Sequence, residues 1–260
     1  MTPPVCLTIA GSDPGAGAGI QADLKTFAAH RVYGASVVTA VTAQNTHGVN
    51  DVFPVPATLV GTQLAAVLED MPVAAVKVGM MATAEIAAVI ATKARHGGLP
   101  NLVLDPVLLS SSGFRLGVVA AVKRLLPYAT VVTPNLDEAS ALVGWPVASV
   151  ADMAGAAAQI AAEGGAKFVI ITGGDAPGDE AVDALWTDAG ARFLRAPRIA
   201  TNNTHGTGCT FSAAVAARLA MGDAVPDALV RAKEYVSWAL QGAVDWKLGG
   251  GRGPLNHLGF

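Results

Sequence analysis

Asn203-Thr204-His205-Gly206-Thr207-Gly208-Cys209-Thr210, followed at once by Phe211-Ser212-Ala213-Ala214-Val215-Ala216-Ala217-Arg218-Leu219, reads as an anion cradle that opens into a small-residue helix. Gly206 and Gly208, either side of Thr207, remove side chains that would hold a phosphate off the backbone. The first helical turn then offers unpaired N–H groups and a positive dipole end. Cys209 closes the cradle. A thiol at a helix N-terminus is biased toward thiolate and is placed to take a proton from a bound hydroxyl. The competing reading is a tight turn followed by a small buried cysteine, and the spacing alone leaves both open.

The rest of the chain supplies the setting. Its 260 residues suit one large α/β domain, with a glycine-rich tail from 248 to 260 that reads as irregular and mobile. Apolar residues make up 52% and charged residues only 14%, against about 25% charged in ordinary domains, so buried parallel strands are expected. A net charge of −3 with scattered basic residues gives no footprint for nucleic acid, and no polybasic or strongly amphipathic stretch suggests a membrane surface. The partner expected is a small molecule. No basic leader precedes the first apolar run and no uninterrupted apolar run is long enough to span a bilayer, which makes the cytoplasm the expected location. Cys6 and Cys209 form no Cys-x-x-Cys pair and are expected to be free thiols.

Several strand patterns end in polar or glycine-rich turns, where α/β sheets bind ligands. The first, residues 5–10, runs into Gly11-Ser12-Asp13-Pro14-Gly15-Ala16-Gly17-Ala18-Gly19 and a helix over residues 20–30. That loop fits neither the dinucleotide fingerprint nor a Walker A motif, and its glycines point instead to close approach of a flat ligand. Asp23, one turn into the helix, either reaches back toward that ligand or stabilises the helix dipole. Residues 35–44 form a β-branched run ending at Gln44, whose planar amide offers a donor and an acceptor to a nitrogen ring; His47 reads as a turn residue. The strand at 74–78 enters Gly79-Met80, with Met80 either covering a ring face or packing in the core, and Thr83 caps the helix that follows.

A strand over 102–107 ends in Asp105-Pro106, and one over 129–133 breaks at Pro134 into a helix carrying Asn135 and Glu138. Asp105 and Glu138 suit a magnesium ion held mainly through water and phosphate oxygens, while a capping box explains Glu138 without metal. A helix is expected over 154–163 and a strand from 167 that turns at Thr172-Gly173-Gly174, a place for a nucleotide. An antiparallel hairpin is expected over 182–196 and a long helix over 226–246 carrying Lys233.

These signals coincide in one known group. On Ala10-Gly11-Ser12-Asp13, residues 18–26, residues 42–46, Lys77-Val78-Gly79-Met80, Leu104-Asp105-Pro106-Val107, Thr133-Pro134-Asn135-x-x-Glu138 and residues 203–210, the chain resembles the hydroxymethylpyrimidine and phosphomethylpyrimidine kinases of thiamine biosynthesis, within the ribokinase-like fold. The resemblance implies a three-layer αβα sandwich around a mostly parallel sheet, with ATP and Mg²⁺ as cofactors and often a homodimer. It also implies roles. Gln44 would read the pyrimidine edge, with Gly11, Asp23 and Met80 completing its pocket. Asp105 and Glu138 would organise magnesium, residues 172–174 the nucleotide, residues 206–208 the oxyanion hole, Cys209 the base position and Lys233 the nucleotide phosphates. Ala16 departs from the glycine common in such loops, which slightly restricts the first loop. The nearest rival reading is a pyridoxal kinase of the same superfamily.

Overall fold

The computed structural model describes residues 2–108 and 119–260. In chain order the elements are β1 (Val5–Ser12), α1 (Gly19–Ala29), β2 (Tyr33–Asn45), β3 (Gly48–Pro54), α2 (Ala57–Asp70), β4 (Val73–Val78), α3 (Ala84–Arg95), β5 (Leu102–Leu104), α4 (Val119–Lys123), β6 (Val131–Val132), α5 (Leu136–Val143), α6 (Val150–Gly164), β7 (Phe168–Ile171), β8 (Glu180–Thr187), β9 (Gly190–Pro197), α7 (Thr207–Ala220) and α8 (Val225–Gln241). Among the described residues the strands form a single sheet ordered β3-β2-β1-β4-β5-β6-β7-β8-β9. The run from β2 through β7 is parallel. β3 pairs antiparallel to β2 at one edge, and the β8–β9 hairpin pairs antiparallel to β7 at the other.

Alternation along the strands sorts the core into two layers. Leu7, Ile9, Val76, Val78, Leu102, Leu104, Val132 and Ile171 pack on the face covered by α2 to α6, with Leu64, Ile86, Ile90, Met153 and Ile160 opposite. Cys6, Ala75, Val103, Val131 and Ile170 face the other way, onto α1, α7 and α8. Handedness explains the split. A right-handed crossover that steps from β1 out to β2 puts its helix on one face, and crossovers stepping the opposite way put theirs on the other. The chain reverses direction at β1 and β4, and a crevice opens at the carboxyl ends of these two strands.

α7 is the small-residue helix, and the reason for its composition is now visible. Thr210, Phe211, Ser212, Ala213, Ala214, Val215, Ala216 and Ala217 are all buried, so the helix is covered nearly all round between the sheet, α1 and α8. Alanines let three partners approach at once. Larger side chains fill the periphery instead: burying one such as Phe27 contributes about 1.5–3 kcal/mol.

Several expected boundaries shift for identifiable reasons. α6 starts at Val150 because Ser149 and Asp152 form a capping box that adds a turn to its front. α8 ends at Gln241, five residues before Trp246, and the tighter turns that follow are tied down by the Asn203 amide, which donates to the carbonyls of Ala243 and Trp246. β5 stops at Leu104, ahead of Asp105 and the donor-less Pro106. The edge strand β3 has no counterpart in the sequence expectations. Thr83 caps α3 by accepting from the Ile86 amide.

The tail is irregular but docked, against the expectation of mobility. Asn256 and His257 are buried, Pro254 bridges to His205, and the carbonyl of Thr46 accepts from the Arg252 amide at 2.9 Å. No helix among the described residues is long and apolar enough to cross a membrane.

Candidate active site

Two cavities meet at the carboxyl edge of the sheet. The smaller, about 230 Å³, lies in the crevice between β1 and β4, and Gly11, Asp13, Thr42, Gln44, Lys77, Met80 and Cys209 line it. The larger, about 450 Å³, runs along β5 to β7 and takes in Asp105, Glu138, Thr172, Gly174, Lys233 and residues 206–209. Cys209 and His205 belong to both walls. The cysteine therefore stands where contents of one cavity meet contents of the other.

The shared wall is built by glycine. Gly206 caps α7 in a left-handed conformation (φ 84°), and a Cβ there would overlap the carbonyl of Gly17. Only glycine combines that backbone with that approach. The motif thereby docks onto the first loop, 189 residues away in sequence, and α7 begins at Thr207 with no side-chain cap. The amides of Gly208 and Cys209 have no intrahelical acceptor, which is the property an anion site needs. Gly208 is exposed and has open space around it.

In the smaller cavity, Gly11 leaves room for the end of the Met80 side chain, which a Cβ there would displace. Asp13 organises the first loop: its carboxylate accepts from the amides of Gly15, Gly17 and Ala18 at 2.8–3.1 Å. His205 Nε2 donates to the same carboxylate at 2.9 Å. Burial alone would raise the Asp13 pKa, but these donors outweigh it and hold the carboxyl below its usual value. Gln44 is held at the cavity wall by two long contacts of 3.3 Å each, its Nε2 to that same histidine nitrogen and its Oε1 to the Thr42 hydroxyl.

Asp23 does not reach this cavity and needs correction as a pocket residue. It is 0% exposed, accepts from Thr8 Oγ1 at 2.6 Å, and takes both of its 2.9 Å contacts from Lys77 Nζ. Lys77, also 0% exposed, is the residue that lines the cavity, and its ammonium lies 3.6 Å from Asp105. Burial would lower the lysine pKa; Asp23, with Cys209 and Asp105 behind it, outweighs burial and raises it, so the ammonium stays charged. Asp23 acts through Lys77.

Cys209 departs from the thiolate expectation. Burial pushes its thiol up to about 12, with Asp105 and Asp23 adding to the rise and Lys77 and the Gly19 amide opposing it. The sulfur is protonated at neutral pH when the cavities are empty. Desolvation beside two carboxylates outweighs the helix terminus.

In the larger cavity, Glu138 and Asn135 make the capping box that the sequence offered as an alternative, with bonds of 2.9 and 2.8 Å. Glu138 also faces Asp105. Burial first, then the Asp105 charge, hold its pKa well above the usual carboxylate range. Ser212 Oγ donates to Asp105 at 2.9 Å. Two buried oxygen-ligand carboxylates in mutual repulsion fit a hard divalent cation, and no cluster of three or more His, Cys, Asp or Glu among the described residues offers a full cage. The donor set suits a magnesium ion that keeps its waters.

Thr172 and Gly174 line this cavity, but Gly173 does not: it is buried against β8, its amide donating to Asp183 at 3.0 Å. Lys233 Nζ is held by Asp183 at 2.7 Å. Arg198 clamps the turn by donating to the carbonyls of Gly174, Ala176, Gly178 and Glu180. Sequence reasoning passed over Asp13, Lys77, His205, Asp183 and Arg198. Lys77 carried a signal, a lone charge inside the apolar run Ala74-Ala75-Val76-Lys77-Val78. The arginine and Asp183 carried none.

Comparison with known proteins adds an independent line. A relative from Rhizobium meliloti, named hydroxymethylpyrimidine/phosphomethylpyrimidine kinase, is 48% identical over 98% of this chain and 97% of its own length. A Bacillus subtilis pyridoxal kinase solved as its ADP complex superimposes with a TM-score of 0.91 at 40% identity, covering 98% of both chains. A phosphomethylpyrimidine kinase from Clostridium difficile 630 gives a TM-score of 0.77 at 39% identity over 91% of this chain and 99% of its own. These neighbours share the ribokinase-like αβα sandwich. The family model for phosphomethylpyrimidine kinase matches residues 13–256, and the chain belongs to that family.

Proposed function

We propose that this protein transfers the γ-phosphoryl group of ATP to the hydroxymethyl oxygen of 4-amino-5-hydroxymethyl-2-methylpyrimidine, and then to the monophosphate so formed, in thiamine biosynthesis. The observation that carries the reading is the position of Cys209 and the free amides of α7 at the wall common to both cavities. An acceptor in one and a triphosphate in the other are brought into line there.

In this reading the smaller cavity takes the pyrimidine. Gln44 meets the ring nitrogen and exocyclic amine, Gly11 lets the ring lie on the backbone, and Met80 covers a face. The larger takes ATP, with Thr172 and Gly174 beside the nucleotide and Lys233 near its phosphates. Asp105 and Glu138 would hold a hydrated magnesium ion, which when bound neutralises phosphate charge. Within the cradle of residues 206–208, where the Thr207 amide is bonded to Thr204, the Gly208 amide and that of Cys209 beside it meet the charge that spreads over the transferred group. Cys209 faces the acceptor oxygen; after releasing its own proton to solvent it is a thiolate, favoured by the Lys77 cation beside it, and takes the acceptor's proton. Residues 1–260 act as one kinase domain, a reading supported by one sheet carrying both cavities. A cytoplasmic location and a homodimer belong to the same proposal.

Pyridoxal is the second reading, favoured by the TM-score of 0.91 to a pyridoxal kinase. The test is ADP release with each alcohol in parallel. Turnover of the hydroxymethylpyrimidine, at a kcat/KM well above that for pyridoxal, is expected; dominant pyridoxal turnover overturns the substrate assignment.

A further inference from the structure

Among the described residues, four basic side chains besides His205 line the two cavities: Lys77, Arg198, Lys233 and Arg252. Three are committed. Lys77 is paired with Asp23, Lys233 with Asp183, and the Arg198 fork is filled by four backbone carbonyls. Arg252 makes no ion pair or side-chain hydrogen bond among the described residues, and it is exposed.

Its backbone is nonetheless fixed on both sides. The Gly251 amide donates to Thr46 Oγ1 at 3.1 Å and the Arg252 amide to the Thr46 carbonyl at 2.9 Å. On the other side the Gly253 carbonyl accepts from the His205 amide at 3.0 Å. A Cβ at Gly251 would overlap the Thr46 carbonyl, and one at Gly253 the Asn203 side chain. Glycine at both flanking positions thus lets the tail bind Thr46, two residues beyond Gln44, and the anion motif together. The arginine stands between them.

The second phosphorylation presents a problem that the first does not. Its acceptor carries a phosphate of about −2 charge, which must approach the polyphosphate of ATP. The acceptor cavity itself offers the Asp13 carboxylate, a histidine bound to it, and a lysine already paired. We propose, resting on the kinase reading above, that Arg252 is the specificity residue for the phosphorylated acceptor: its guanidinium, on the wall of the larger cavity, binds the phosphate of the monophosphate. A planar fork suits that anion.

The test supplies each acceptor separately to wild type, Arg252→Ala and Arg252→Lys, and measures KM for the hydroxymethyl compound, for its monophosphate and for ATP. Losing a charge-assisted hydrogen bond predicts a KM for the monophosphate raised about 10- to 100-fold in Arg252→Ala, at least about tenfold more than the rise for the alcohol. Arg252→Lys restores part of it. Calorimetric titration of the monophosphate without ATP should weaken in parallel. Equal rises for both acceptors, or a rise in the ATP KM matching that for the monophosphate, overturns the proposal, as does an Arg252→Ala protein indistinguishable from wild type. Wild-type protein inactive on both pyrimidines would instead overturn the functional reading beneath it.

Discussion

The two cavities solve different problems with different materials. The smaller is walled by backbone that only glycine permits and floored by a fully buried ion pair, Lys77 with Asp23, so its charges are fixed before any ligand arrives. The larger is roomier and sets Asp105 against Glu138, with Lys77 near Asp105 alone and Glu138 pushed toward its neutral form by burial first and then by the Asp105 charge. On the proposed assignment, acceptor geometry is preset by folding, while the nucleotide side is finished by what binds there. Cys209 lines both, and burial first, then the Asp105 and Asp23 carboxylates, keep its thiol protonated.

The sharpest way to break this contrast is at the shared sulfur. In Cys209→Ala, phosphorylation of the alcohol should fall by about 10²- to 10⁴-fold, the usual span for losing a general base, while the already ionised monophosphate should lose far less. Equal losses in single-turnover rates would remove the base assignment. In the wild-type protein, with Cys209→Ala as the background control, iodoacetamide labelling without ligand should climb steadily from pH 7 to pH 10 without a plateau, because a thiol raised to about 12 is still protonated across that range. A plateau near pH 8 would mean that the sulfur is not desolvated as described.

The preset floor comes next in size. Lys77→Met strands the Asp23 carboxylate without its partner and should cost about 3–5 kcal/mol in denaturant unfolding, whereas Lys77→Met combined with Asp23→Leu should recover most of that loss. A single variant of wild-type stability would show that the pair contributes no fixed charge to the cavity. Smallest is the loop: Ala16 adopts a left-handed backbone (φ 58°), and Ala16→Gly should stabilise by about 1 kcal/mol, a rise of a few degrees in Tm. The same change should leave the nucleotide KM alone, since Ala16 lines neither cavity.

What the sequence disclosed divides along the same line. Motifs whose meaning is local were readable: the glycines of residues 206–208, the strand-end acids, the Thr83 cap, the hairpin at the far edge. Ala16 was legible as a departure, and the structure gives it a cost in backbone strain rather than a role in contacts. Pairings across long separations were not readable. Asp23 and Lys77 lie 54 positions apart, and no spacing rule connects them. Gly173 shares its turn with two cavity-lining neighbours, and only the close approach of β8 decides that it faces away. The tail misled because glycine-rich sequence serves equally for mobility and for tight docking; contact with Thr46 and Asn203 selects the second. For Cys209, the local rule about helix termini was sound, but the buried carboxylates around it belong to other parts of the chain.

The burial of α7 has a consequence for how the molecule is made. Cys6, Ala75 and Val103 on the underside of the sheet pack against residues 207–220, which leave the ribosome only after four-fifths of the chain has been synthesised. Until then a nascent chain holds an uncovered apolar face and half of its anion site, and it is in that interval that a chaperone would find something to hold.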